Sequence, residues 1–198
     1  TIIQGFTIRD CRTNYFDPIH GTVLPESGAG LRCSSSSPTI ESCIFTENVN
    51  EGHYFDGGYY YDMPDPFRSG GGMAIMNGNA SVNQCQFIAN IAYDSGGGAF
   101  NLNSSSQYSN CVFKGCSSFN QGAALSFSQC NSVLSGTEFS TNGTQYVSGA
   151  VYGDMSDLYF ENCIFSSNEG TGFTGSYFTF SDFVNCDFSR NEGCGIGN

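Results

Sequence analysis

Ile40-Glu41-Ser42-Cys43-Ile44-Phe45-Thr46-Glu47-Asn48 is the stretch on which the reading of this chain turns. It is a frame: an apolar residue, two polar residues, Cys, one residue, Phe, two residues, Asn. The frame returns at Val82, Cys85, Phe87 and Asn90, and at Tyr108, Cys111, Phe113 and Cys116. It returns again at Leu134, Thr137, Phe139 and Asn142, at Phe160, Cys163, Phe165 and Asn168, and at Phe183, Cys186, Phe188 and Asn191. A degenerate first copy is Ile3, Phe6, Ile8 and Cys11. From Phe45 onward the Phe-to-Phe steps are 42, 26, 26, 26 and 23 residues. A near-constant step of this size marks a solenoid, whose unit is too small to bury its own apolar face and must stack on its neighbours.

A glycine-rich phrase lies between successive frames. Its copies are Gly28-Ala29-Gly30-Leu31, Gly70-Gly71-Gly72-Met73, Gly96-Gly97-Gly98-Ala99, Gly122-Ala123-Ala124-Leu125 and Ser148-Gly149-Ala150-Val151. Weaker copies are Gly170-Thr171-Gly172-Phe173 and Gly193-Cys194-Gly195-Ile196. Each unit therefore holds two or three short apolar stretches separated by Gly, Ser and Asn. No stretch reaches helical length or shows a 3.6-residue period. Alternation is present instead, as in Cys43-x-Phe45 and Leu125-x-Phe127, which places side chains two apart on one face. The spacing predicts an all-β, single-stranded, right-handed parallel β-helix of about seven coils, with three short strands per coil and no clear end caps. At about 4.8 Å per coil the rod is roughly 34 Å long.

The columns account for the residue types. Ile40, Val82, Tyr108, Leu134, Phe160 and Phe183 form one inward ladder, and Phe45, Phe87, Phe113, Phe139, Phe165 and Phe188 a second, of stacked rings. Asn48, Asn90, Asn142, Asn168 and Asn191 mark a corner, where asparagine tolerates left-handed backbone and its amide bonds the equivalent amide one coil away. Cys43, Cys85, Cys111, Cys163 and Cys186 read as small buried thiols. Cys33, Cys130 and Cys194 lie elsewhere on the coil, where local pairing is open. No Cys-x-x-Cys pair occurs, so a zinc site has no support, and no metal site is expected from the cysteines.

The repeated Phe-x-x-Asn and Gly-Gly-Ala-(Ile/Leu/Val) phrases resemble the repeats of polymorphic outer-membrane proteins, a family that includes bacterial surface adhesins. Phe45–Asn48, Phe87–Asn90, Phe139–Asn142, Phe165–Asn168 and Phe188–Asn191 keep the first phrase, and Gly97-Gly98-Ala99-Phe100 comes nearest to the second. The resemblance implies a β-helix on an extracellular or cell-surface protein. The membrane-anchoring β-barrel usual in that family has no counterpart in these residues.

With 198 residues in one continuous repeat, a single domain over 1–198 is expected. The formal net charge is −12, which repels phosphate backbones and anionic lipid, so neither nucleic acid nor a membrane surface is expected as partner. No run approaches the ~20 apolar residues that a spanning helix needs, so membrane insertion is not expected. No signal peptide is visible, so a secreted protein is here as its mature chain or an internal piece.

Two insertions interrupt the repeat, at 12–27 and 49–69. They carry Asp17, His20, His53, Tyr54, Asp56, Tyr59, Tyr60, Tyr61, Asp62 and Asp65. Loops on a rigid scaffold are where binding residues concentrate. The tyrosines suit sugar rings or a protein contact, and the acids and histidines suit a cation such as Ca²⁺. The plainer alternative is that the insertions cover each other and the rod's flank. Three sequons occur, at Asn79, Asn103 and Asn142. Asn142 belongs to the corner column and should be blocked, which leaves Asn79 and Asn103 as glycosylation candidates.

The chain opens inside a frame and closes after a glycine phrase. Ile2, Ile3, Phe6 and Ile8 at one edge and Cys194 and Ile196 at the other are therefore candidates for head-to-tail contact with a second copy. Such a contact does not close and gives a filament. Enzyme signatures are weak. The basic residues Arg9, Arg12, Arg32, Arg68, Lys114 and Arg190 are scattered, and Asp154 and Asp157 lack an equivalent pair one coil away. The expectation is a non-enzymatic structural or adhesive rod without cofactor. The alternative is a module that binds or cleaves carbohydrate through the two insertions, with surface glycans or a host or cell-surface protein as partner.

Overall fold

The computed structural model describes residues 1–13, 28–50, 69–145 and 149–197. Every strand pairing among them is parallel, and they build a β-solenoid with no helix. Four sheets run along it. The first joins Ile2–Gln4, Thr39–Glu41, Ser81–Asn83, Gln107–Ser109, Asn131–Ser135, Asp157–Glu161 and Phe180–Val184. The second runs from Thr7–Arg9 to Asp187–Ser189, again with seven strands. The third has five strands of two residues each, from Arg12–Thr13 to Gly143–Thr144. The fourth runs from Leu31–Ser34 to Ile196–Gly197, with seven strands led by the glycine phrases.

The third sheet corrects the expected three strands per coil. The two residues after Asn48, Asn90, Cys116 and Asn142 already pair, as Val49 does with Ile91 and Ile91 with Ser117. A strand of two residues has no alternation to display, so its sequence looks like a turn. The same sheet corrects the insertion boundaries. Arg12–Thr13 pairs with Val49–Asn50, so both belong to the regular coil. Ser69 does too, since its carbonyl accepts from Gly28 N and Asn50 Nδ2.

Inside, the two ladders are in register. Ile3, Ile40, Val82, Tyr108, Leu134, Phe160 and Phe183 are successive Cα partners. So are Ile8, Phe45, Phe87, Phe113, Phe139, Phe165 and Phe188. The phenyl rings stack with centroids 4.8, 4.4, 5.2, 4.9 and 4.5 Å apart and planes within 17° of parallel. The coil spacing of about 4.8 Å imposes that distance, so the stack follows from the sheet register. The rings then add offset-stacking attraction to the area they bury.

Corners are made by left-handed residues, one position earlier than expected. Positive φ falls on Glu47, Ala89, Thr141, Ser167 and Arg190, each just before its asparagine. The asparagines do the bonding. Asn48 Nδ2 donates to Asn90 Oδ1 at 2.9 Å and to Ile8 O at 2.9 Å, and Asn142 and Asn168 repeat the pattern.

One polar pair sits inside. Asn101, fully buried, donates from Nδ2 to the Tyr108 hydroxyl at 3.0 Å. The phenol faces the core of the adjacent sheet, and burial pushes its pKa upward. All ten cysteines are free thiols, seven of them buried. The outward column Ala74, Phe100, Ser126 and Tyr152 of the fourth sheet is buried as well.

Candidate functional site

The first sheet offers the candidate site. At the later coils its strands lengthen to five residues, Asn131–Ser135, Asp157–Glu161 and Phe180–Val184. A longer strand adds outward positions that shorter coils lack. Asn131, Asp157 and Phe180 are in register, as are Val133, Tyr159 and Asp182. Strand alternation sends Leu134, Phe160 and Phe183 into the core and these six residues outward.

Five of them, all but Val133, border a shallow groove of about 200 Å³ lined by Asn131, Ser132, Asp157, Leu158, Tyr159, Phe180 and Asp182. Asp157 and Asp182 are exposed, Tyr159 is half-buried, and Phe180 is 69% exposed. Ser132 is 2% exposed and its hydroxyl has no hydrogen-bond partner. An aromatic pair set among carboxylates and an amide gives apolar faces for stacking and acceptors for hydroxyl or ammonium donors.

Asp182, Tyr159 and Phe180 were not singled out in the sequence. The acid nearest Asp157 on the adjacent coil is Asp182, a diagonal neighbour two residues along in the register. Both acids lie outside the repeated Cys, Phe and Asn columns, so the repeat does not single them out. Asp154 goes elsewhere. It ends a strand of the fourth sheet, is 1% exposed, and neither carboxylate oxygen has a partner. Desolvation there raises its pKa.

The insertion residues Asp17, His20, His53, Tyr54, Asp56, Tyr59, Tyr60, Tyr61, Asp62 and Asp65 all lie outside the described residues. Among the described residues no three His, Cys, Asp or Glu side chains gather closely enough to hold a metal ion. Of the edge candidates, Ile2 is 71% and Phe6 61% exposed, while Ile3 and Ile8 pack partly against the core. Cys194 and Ile196 are exposed at the opposite edge. Asn79 and Asn103 are exposed on adjacent coils, Asn79 Oδ1 accepting from Ser105 N at 2.7 Å. Asn142 is fully buried in the corner ladder.

Residues 71–197 match the family profile described as the right-handed beta helix region. No curated protein matches the chain significantly. The match spans the four-sheet repeat from the second glycine phrase onward, including every residue of the groove. The chain belongs to the right-handed β-helix family.

Proposed function

We propose that this chain is a non-enzymatic β-helical rod of the extracellular space or cell surface, and that it acts by adhesion. The observation that carries the reading is the groove bordered by Tyr159, Phe180, Asp157 and Asp182 on the outer face of the first sheet. Its rings suit the C–H face of a sugar, and its carboxylates and Asn131 suit hydroxyl groups. The likeness of the Phe-x-x-Asn phrases to those of polymorphic outer-membrane adhesins fits the same role. The net charge of −12 argues against pectin-like polyanions as ligand.

A glycan array probed with the purified chain tests this. The expected result is binding to a restricted set of uncharged or basic saccharides, lost in Tyr159→Ala and Phe180→Ala. Binding that survives both substitutions sinks the groove as its site. Release of new reducing ends from a bound oligomer would replace adhesion by cleavage.

A second reading is head-to-tail stacking of copies. Its candidate contacts are Ile2 and Phe6 on the first described coil and Ile196 on the last. Electron microscopy over a concentration series should show filaments; dispersed single rods at the highest concentration would remove this reading.

A further inference from the structure

The strip around the groove has more order than a neutral sugar requires. Asp157 stands beside Phe180 across the sheet, and Tyr159 stands beside Asp182. Along each strand the two outward residues that line the groove are again one acid and one ring. The four therefore make a checkerboard, with cross-strand steps of about 4.8 Å and along-strand steps of about 6.6 Å. Each ring has one carboxylate at its side and one in line with it. Neither Asp157 nor Asp182 pairs with a basic side chain among the described residues. An aromatic face and a carboxylate both attract a cation, and a site that alternates them selects an ammonium group carried on an apolar frame.

The turn that leads into Phe180 adds a second feature. Ser128, Asp154 and Ser176 are in register, and so are Asn131, Asp157 and Phe180. Two of the connecting turns have two residues between these points, and the third, Tyr177-Phe178-Thr179, has three. The shorter turns each hold one left-handed residue, Gln129 and Met155. The longer one holds two in succession, Tyr177 at φ 34° and Phe178 at φ 54°. Bulky residues avoid this region, and consecutive ones persist only where surrounding bonds fix them.

Here four bonds do so. Met155 N donates to Tyr177 O at 3.0 Å, and Phe180 N to Ser156 O at 2.9 Å. Thr179 Oγ1 donates to Ser176 O at 2.6 Å and accepts from Ser156 N at 3.4 Å. The turn is thus held on both sides while Phe178 projects, 85% exposed, two residues from the groove-lining Phe180. An exposed ring in a strained, braced turn gains nothing for folding.

We propose that the groove takes an amino sugar oligomer, with its ammonium group held at Asp157 and Asp182 beside the Tyr159 and Phe180 rings, and with Phe178 stacked on a neighbouring sugar face. The proposal rests on the saccharide reading of the groove and names its ligand class.

The test compares a β-linked glucosamine tetramer, its fully N-acetylated counterpart and tetralysine, by calorimetric titration at low and high salt. The glucosamine tetramer should bind at least about tenfold tighter than the N-acetylated one, and salt should erode the difference. The Asp157→Asn, Asp182→Asn double variant should abolish the difference while leaving the residual affinity. Phe178→Gly should weaken both sugars about tenfold without lowering the melting temperature, since glycine accepts the left-handed turn freely. Equal or better binding of the N-acetylated tetramer overturns the proposal while leaving the saccharide groove standing. So does tetralysine binding as well as the glucosamine tetramer, or Phe178→Gly binding as wild type does. Binding of neither sugar overturns both.

Discussion

The Asn48 side chain donates to Asn90 Oδ1, one coil away, at 2.9 Å, and that same oxygen accepts the Asn48 backbone N–H at 3.1 Å. One amide thus satisfies two donors of the next corner, and both groups are fully buried. The ladder is interrupted only where Cys116 replaces asparagine. There Cys116 N donates to Asn142 Oδ1 at 3.0 Å and the thiol donates to Phe87 O at 3.3 Å.

Asn90→Ala should therefore cost about 2–4 kcal/mol, because it strands the Asn48 donors and the Phe45 carbonyl in a dry corner. Cys116→Asn should do the opposite, completing the column and raising stability by about 1 kcal/mol. Urea titrations of both variants measure this. A destabilised Cys116→Asn would mean that the smaller thiol is needed for packing at that corner.

Two glycines with different duties separate backbone conformation from space. Gly115 has φ 62° and open surroundings, so Gly115→Ala should cost only the left-handed preference, about 1 kcal/mol. A Cβ on Gly97 would press into the carbonyl oxygens of Ser117 and Ala123, which are backbone atoms and cannot step aside. Gly97→Ala should cost about 3 kcal/mol or more. Comparable melting temperatures for the two variants would contradict the close approach at Gly97.

Asp154 makes stability depend on pH in the sense opposite to an ion-paired acid. Its folded pKa is raised by burial, so the native state holds the proton to higher pH than the unfolded chain does. Its contribution is favourable below the unfolded value of about 3.9 and is lost as pH rises through the raised folded value. Asp154→Asn should match wild type near the acid end of that window and exceed it at neutral pH. Chemical denaturation of both proteins from pH 4 to 7 checks the widening gap; a constant gap would assign the effect to packing.

Thiol reactivity should follow burial. Burial pushes Cys116 up to about 12, and burial first among its causes pushes Cys163 up to about 11. The thiolate is the reactive form, so these groups are protected twice, by access and by charge. Titration with an aromatic disulfide reagent near pH 8 should modify Cys11, Cys186 and Cys194 in the folded protein. The other seven should appear only in denaturant, for a total of ten. A total of eight would reveal a disulfide.

The repeat made most of the fold readable. The Phe45, Phe87 and Phe113 column needs only a constant step to be recognised, because a parallel ladder stacks equivalent positions. The buried thiols Cys43, Cys85, Cys111 and Cys163 follow from a separate apolar column two residues earlier. The third sheet escaped notice because Val49–Asn50 and Ser117–Ser118 are too short to alternate. The buried Asn101–Tyr108 pair escaped because its partners come from different sheets of one coil.

By itself, the sequence determined the architecture: a step near 26 residues with in-phase Cys, Phe and Asn admits little besides a stacked β-coil. Local period is enough for that, since every contact in a solenoid repeats between neighbours. What faces outward is different, because outward columns are free to vary and carry no period. Only the tertiary structure joined Asp157, Tyr159, Phe180 and Asp182 into one groove, by pairing two five-residue strands whose outward positions lie off the repeated Cys, Phe and Asn columns. Register, set by backbone hydrogen bonds between coils, decided which side chains became neighbours.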